Sequence, residues 1–347
     1  MLAAVMKGPG QLEVAEIPTP EPGPGEILLK VGSNTVCGTD LRILRGEKTA
    51  GVRPGVVLGH EIAGTIAEVG AGVTGYAAGD LAVITPVVTC GTCFYCLREL
   101  EHFCENSDIY GYALDGGLAE YCLVPARAVA RKNVAVAKPG TSLTALSLTE
   151  PLGCVLNGLS NYTVKLGDTA VILGAGPIGL LHMTVCRLAG ATQIIVSDPS
   201  ESRRATASSL GADLVVDPLN EDLRETILGA TRGHGADVVV VCIGRLDLFP
   251  QALDLVRKGG RVCAFAGFPK GGSTPVDPNV IHYGEITITG TSNSKRRHTE
   301  EALRLIEAGL IPADVIVSHT FPLSQAAEAI EFSASGEGIK IAVVPEA

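Results

Sequence analysis

The chain reads as an α/β protein of two domains, a β-rich portion followed by a doubly wound parallel sheet. Three observations predict this. Its 347 residues exceed the ~100–200 of a usual domain, and hydrophobic residues make up 46% of them, enough for two cores. Up to about residue 140, short apolar runs are broken by glycine and proline turns. Beyond that point apolar runs alternate with helical patterns, the order that builds a parallel sheet covered on both faces.

Each element has its own signal. Residues 1–35 alternate apolar and polar positions around the turn Pro18–Gly25, then enter a strand at Ile27–Val31. Gly64–Val69 and Leu81–Ile84 read as further strands, and Asp115-Gly116-Gly117 is a turn before Ala119–Val124. Helical patterning takes over from Ser142 to Leu166, with Glu150-Pro151 marking a helix start inside it. Buried strands follow at Ala170–Leu173, Gln193–Ser197, Leu214–Val216, Asp237–Val241, Arg261–Phe265 and Ile286–Thr289, with helices between them. The tail from residue 291 carries a helix at Glu300–Ala308 and a last strand at Ile339–Val344, expected to return to the first domain. The expected division is therefore 1–148 with 291–347, and 149–290.

Charge narrows the partners. A net charge of −10 argues against nucleic acid and anionic membrane, which both call for a basic footprint. No run of 18 apolar residues appears, and Met1–Lys7 lacks the charged-then-apolar order of a signal peptide, so a cytoplasmic protein is expected.

The ten cysteines sort by spacing. Cys90, Cys93, Cys96 and Cys104 form C-x2-C-x2-C-x7-C, which in a reducing compartment reads as a metal site. Four thiolates close a tetrahedral structural zinc with no open position, and an iron–sulfur cluster is the competing reading. Cys122, Cys154, Cys186, Cys242 and Cys263 lie in apolar surroundings and read as core. Cys37 is different. It precedes His60 by 23 residues, and Glu150 opens a turn downstream. One thiolate, one imidazole and one carboxylate make three ligands of a catalytic zinc, whose fourth position stays open. Cys154, one helical turn past Glu150, competes as a ligand.

A dinucleotide site is the second constellation. Gly174-Ala175-Gly176-Pro177-Ile178-Gly179 matches G-x-G-x-x-G after a strand and at the mouth of a helix. Its glycines let the backbone approach a pyrophosphate resting on the helix N-terminus. Asp198 stands 19 residues past Gly179, where a carboxylate accepts from a ribose 2′-hydroxyl and repels a 2′-phosphate, so NAD is favoured over NADP. Arg203 and Arg204 are the counterweight, since arginine accommodates a phosphate.

Gly59-His60-Glu61-x-x-Gly64 with Gly70, the four-cysteine lobe and the Gly174–Gly179 fingerprint together resemble the zinc-dependent medium-chain alcohol dehydrogenases. The resemblance covers the whole chain, and Glu150-Pro151-Leu152 is similar to the polyol branch, with threonine dehydrogenases close in layout. It implies a GroES-like catalytic domain holding both zincs, a Rossmann domain, and an active site between them. Cys37, His60 and Glu150 then match the catalytic zinc ligands, with Glu61 a further candidate as coordination changes. Thr39 matches the hydroxyl that takes the proton from the alcohol as hydride passes to NAD. The implied substrate is a polyol, sugar alcohol or cyclitol, or a phosphate of one, with hydroxy-amino-acid oxidation as the alternative. A homo-oligomer, tetramer or dimer, is implied as well. One departure stands out: many relatives have a histidine five residues past the first ligand, and here it is Arg42, which cannot act as a base. The basic run Ser294–His298 reads either as a clamp for a phosphate or carboxylate on the substrate, or as a solvated loop or subunit contact. A zinc-free reductase would lack Cys37, His60 and the cysteine lobe, and a non-catalytic NAD-binding protein would not need the ligands together with Thr39.

Overall fold

A computed structural model of the chain, described over residues 1–346, divides into two units. One comprises Met1–Gly153 and the stretch from Ser294 onward, the other Cys154–Asn293. The divisions fall a few residues beyond 148/149 and 290/291, so Glu150 belongs to the first unit.

The first unit opens with a hairpin of β1 (Leu2–Gly8) and β2 (Gln11–Glu16). It continues through β3 (Ile27–Thr35), β4 (Glu61–Val69), β5 (Leu81–Ile84), the short pair β6 (Val87–Val88) and β7 (Asp108–Ile109), β8 (Tyr121–Val124) and β9 (Val134–Val136). The second unit holds β10 (Thr169–Leu173), β11 (Gln193–Ser197), β12 (Leu214–Val216), β13 (Ala236–Val241), β14 (Val256–Ala264) and β15 (Thr287–Gly290). The chain then re-enters the first unit with β16 (Val317–Pro322) and β17 (Lys340–Val344).

In the second unit the sheet order is β12-β11-β10-β13-β14-β15, all parallel. This is the doubly wound arrangement, whose strand order reverses beside β10. Val171, Ile195, Val239, Val241 and Val262 form the core of that sheet, with Leu223, Ile227 and Leu253 from its helices. Such strands are apolar on both faces because helices cover both, which is why they read so clearly as runs.

The first unit is built on the order β16-β17-β3-β4-β5-β9, with β8 also pairing β3. One core gathers Ile27, Leu29, Ile62, Ile66 and Ile84; another gathers Val5, Ile43, Val57, Leu58 and Ile341. The helix Gly38–Leu44 was not anticipated in this β-rich portion. It is only seven residues long, too short to display a period, and it buries Asp40, Ile43 and Leu44. Also absent from the sequence reading are β16 and the helix Ala326–Ser335. The helix expected at Glu300–Ala308 runs Arg296–Glu307, starting from its cap Lys295, whose N–H is accepted by His298 Nδ1; its cationic first turn carries no acidic or hydroxyl start signal. Of the cysteines expected in the core, Cys122, Cys186 and Cys263 are buried, whereas Cys154 and Cys242 are partly exposed.

Candidate active site and metal centres

Strand register assembles the first site. Thr35 pairs with Glu61 across β3 and β4, and Ala342 of β17 pairs with Thr35 on the other side. Side chains two apart share a face, so Lys340 lies on the same face as Thr35 and Glu61. The Lys340 Nζ donates to Glu61 Oε1 at 2.7 Å, and the Thr35 hydroxyl donates to Glu61 Oε2. Both charges are nearly sealed from water, with 5% and 1% of the side chains exposed. Burial pulls the Lys340 pKa down, but Glu61, Cys37 and, less strongly, Glu150 outweigh it and hold the ammonium above its ordinary range.

Just beyond β3 the chain turns at Cys37 into the short helix Gly38–Leu44. The Asp40 carboxylate accepts the Cys37 N–H at 2.9 Å, closing that turn. Asp40 also faces His60, which ends the approach to β4, with Oδ1 3.3 Å from Nδ1. A carboxylate against one ring nitrogen leaves the other to ligate a metal and fixes the ring's orientation. Burial works against charging His60, yet Asp40 and Cys37 hold its pKa well above the usual value. The pocket therefore attracts positive charge. Tyr112 packs edge-on to His60 with centroids 5.8 Å apart. Burial pushes the Tyr112 hydroxyl to about 12, so it stays protonated.

A Cys37 sulfur, a His60 nitrogen and a Glu61 oxygen all lie within 4.8 Å of one another. Thiol, imidazole and carboxylate are the donor types that zinc takes in catalytic sites, so the residues fit the ion. Glu150 is not in this gathered group. It sits half-buried in the first turn of the helix Thr149–Tyr162, close enough for Lys340 to feel its charge. Cys154 lies in the second unit. Arg42 is exposed on the helix and lies 4.0 Å from Glu47.

Cys90, Cys93, Cys96 and Cys104 also converge within 4.8 Å. The Cys90–Cys96 and Cys93–Cys104 sulfurs are 3.9 and 4.0 Å apart, against about 3.8 Å for the edge of a ZnS₄ tetrahedron with 2.3 Å bonds. The Thr92 and Cys93 amides point at Cys90 Sγ and pull that thiol down to about 5. Burial, with the other thiols crowding it, pushes Cys96 up to about 12. Four thiolates at this spacing need a cation among them.

In the second unit, Gly174 ends β10 with φ +109°, a conformation that favours glycine. A Cβ at Gly179 would lie 1.8 Å from the Gly174 carbonyl, so only glycine lets helix Pro177–Leu188 pack this closely. Gly176 caps that helix and Pro177 starts it, with Ile178 next in its first turn. Asp198 follows β11, buried, with Oδ2 accepting the Ala175 N–H and Oδ1 the Ser200 N–H, both at 2.8 Å. It thus anchors the glycine loop. Arg204 is committed to the Asp198 carbonyl and Asp217, whereas the Arg203 guanidinium lies beside Gly176.

Four contributors escaped sequence reasoning: Lys340, Thr35, Asp40 and Tyr112. Two left a trace in the sequence. Lys340 is a lone charge in an otherwise apolar strand, and Asp40 stands three residues after Cys37, the spacing of a reciprocal cap.

Comparison with known proteins places this architecture. Residues 23–134 match the family model described as the alcohol dehydrogenase GroES-like domain, and residues 177–308 match that described as zinc-binding dehydrogenase. L-threonine 3-dehydrogenase of Pyrococcus furiosus is 36% identical over 352 residues, covering 98% of this chain and 97% of that protein. Sorbitol dehydrogenase of Halalkalibacterium halodurans is 32% identical, covering 99% and 98%. A crystal structure of a zinc-binding dehydrogenase from Sinorhizobium meliloti, bound to NADP, superposes with a TM-score of 0.94 at 34% identity over 99% of both chains. With both halves matched by family models and relatives aligned along its length, the chain belongs to the zinc-dependent medium-chain alcohol dehydrogenases, oxidoreductases that work with a nicotinamide cofactor.

Proposed function

We propose that this chain oxidises a secondary hydroxyl of a small polyol, sugar alcohol or cyclitol, or of one of their phosphates, to a ketone, using two zinc ions and NAD. The observation that carries the reading is the convergence of Cys37, His60 and a carboxylate, backed by Asp40 and Lys340. When bound, zinc supplies the charge that acidifies an alcohol and the nicotinamide supplies the hydride acceptor.

The chain's residues do the rest. Cys37 and His60 are two ligands of the catalytic ion. Glu150 is proposed as the third, with Glu61 held in reserve because Lys340 and Thr35 already occupy its oxygens. Asp40 keeps His60 oriented. Thr39 receives the alcohol proton. Cys90, Cys93, Cys96 and Cys104 hold the structural ion. Gly174, Gly176, Pro177, Ile178 and Gly179 cradle the cofactor pyrophosphate, and Asp198 takes the ribose. Arg203, beside Gly176, contacts the phosphates. A homo-oligomer, dimer or tetramer, working in the cytoplasm completes the reading. The cytoplasmic part of this reading is supported by ten cysteines without a disulfide.

The P. furiosus relative's name favours a second reading, oxidation of L-threonine. Both are tested by cofactor reduction with NAD and NADP across sorbitol, threitol, a cyclitol, a sugar-alcohol phosphate and L-threonine. Turnover of the polyols supports the first reading, and turnover confined to threonine supports the second. No turnover of any of them by zinc-loaded protein overturns both.

A further inference from the structure

Lys295, Arg296 and Arg297 stand at the N-terminal end of the helix Arg296–Glu307. The helix dipole favours negative charge there, and the N-cap position favours Ser, Thr, Asp or Asn. Lys295 occupies that cap and offers no side-chain oxygen. A local conflict of this kind is where a functional site is expected. The three cations border a cavity of about 510 Å³, within the size range of small-molecule sites. Arg131 and Lys132 line it as well, and the four-cysteine lobe adds Glu99 and Glu101. Five cations thus line it with two carboxylates, one of the five, Arg296, also pairing with Glu300 at 3.0 Å, in a chain of net charge −10.

Arg131 also reaches the cysteine lobe. A Cβ at Gly91, which has φ +77°, would lie 1.6 Å from Arg131 Nη2, so the guanidinium lies against the C-G-T-C turn at Gly91. Glu101 Oε1 accepts the Arg296 N–H at 3.2 Å, an internal carboxylate already at the helix end. Behind it His298 is kept neutral: burial first, then Arg297 and Lys295, push it down to about 4. Cys37, Thr39, His60 and Glu61 do not line the cavity. The basic run therefore serves a place other than the Cys37–His60–Glu61 group, and Cys96 of the lobe lines it.

We propose that this cavity is a binding site for a small molecule carrying two or more phosphate groups, separate from the catalytic pocket. Such a ligand neutralises the excess charge and ties the lobe to the helix.

The test is calorimetric titration of zinc-loaded protein with inorganic pyrophosphate, with NADH and NADPH in excess to fill the dinucleotide site and zinc retention checked afterwards. Saturable binding is expected at one site per chain, weakening as salt rises. Arg131→Ala/Lys295→Ala should weaken it roughly tenfold or more, with zinc content and turnover unchanged. Because Arg131 touches the lobe, Glu101→Gln is the second variant, and it should tighten binding. The proposal is overturned by the lack of saturable heat up to millimolar ligand, or by equal affinity in all three proteins. It is also overturned if the double variant loses subunit association while the wild type binds no pyrophosphate, since the face is then a contact between copies.

Discussion

Replacing Lys340 by methionine removes the ammonium that pairs with the buried Glu61 carboxylate. The pair is 2.7 Å apart, with 5% and 1% of the side chains exposed, so solvent screens it little. Taking one partner from a buried pair costs about 3–5 kcal/mol, because the other charge remains without compensation. At about 2–4 °C per kcal/mol for a unit of this size, the melting transition of the first unit should fall by roughly 6–20 °C. Lys340→Met/Glu61→Met should recover most of that loss, since a buried pair exchanged for apolar groups of similar volume is close to neutral. Differential scanning calorimetry completes the cycle, on proteins whose structural site is loaded with zinc and whose catalytic site is left empty in a Cys37→Ser background. If Lys340→Met melts within about 1 kcal/mol of that background, or the double variant loses the sum of the single losses, Lys340 is not what permits Glu61 to be buried there.

Other predictions concern the metals, the cofactor and pH. Metal analysis should find two zinc ions per chain; Cys37→Ser should lose one along with turnover, and Cys93→Ser should lose the other along with lobe stability. Glu150→Gln should weaken zinc retention at the catalytic site more than Glu61→Gln does, and the reverse ranking would make Glu61 the third ligand. Asp198→Ala should raise the KM for NAD at least about tenfold and narrow the preference over NADP, because it removes both the ribose acceptor and the bond to the Ala175 amide. His182 is fully buried with Nδ1 2.9 Å from the Tyr162 hydroxyl, and burial pushes it down to about 3. An unfolded histidine binds a proton that the folded one refuses. This contribution to stability is therefore present above about pH 6.5 and lost as pH falls toward the folded value. Between about pH 7 and about pH 5, wild type should lose about 2 kcal/mol more than His182→Gln; parallel losses would show that His182 is not the titrating group.

Much of this protein was legible in its residue order. The Cys90–Cys104 spacing and the Gly174–Gly179 loop are local, so their geometry follows from a few consecutive backbone angles. The strands β10, β11 and β13 announced themselves because both their faces are buried. Cys37 and His60 could be proposed as a pair, lying 23 residues apart and flanked by glycines. Other features were decided only in three dimensions. Lys340 meets Glu61 because β17, β3 and β4 adopt one register, and register is set by hydrogen bonds between distant strands. Tyr112 reaches His60, and the basic run at Lys295 faces the cysteine lobe, for the same kind of reason. By itself the sequence determined the chemistry available: which ligands, which phosphate cradle, which charges. Tertiary structure decided which of those groups share a pocket, because contacts across strands and between segments depend on non-local pairing that no spacing along the chain encodes.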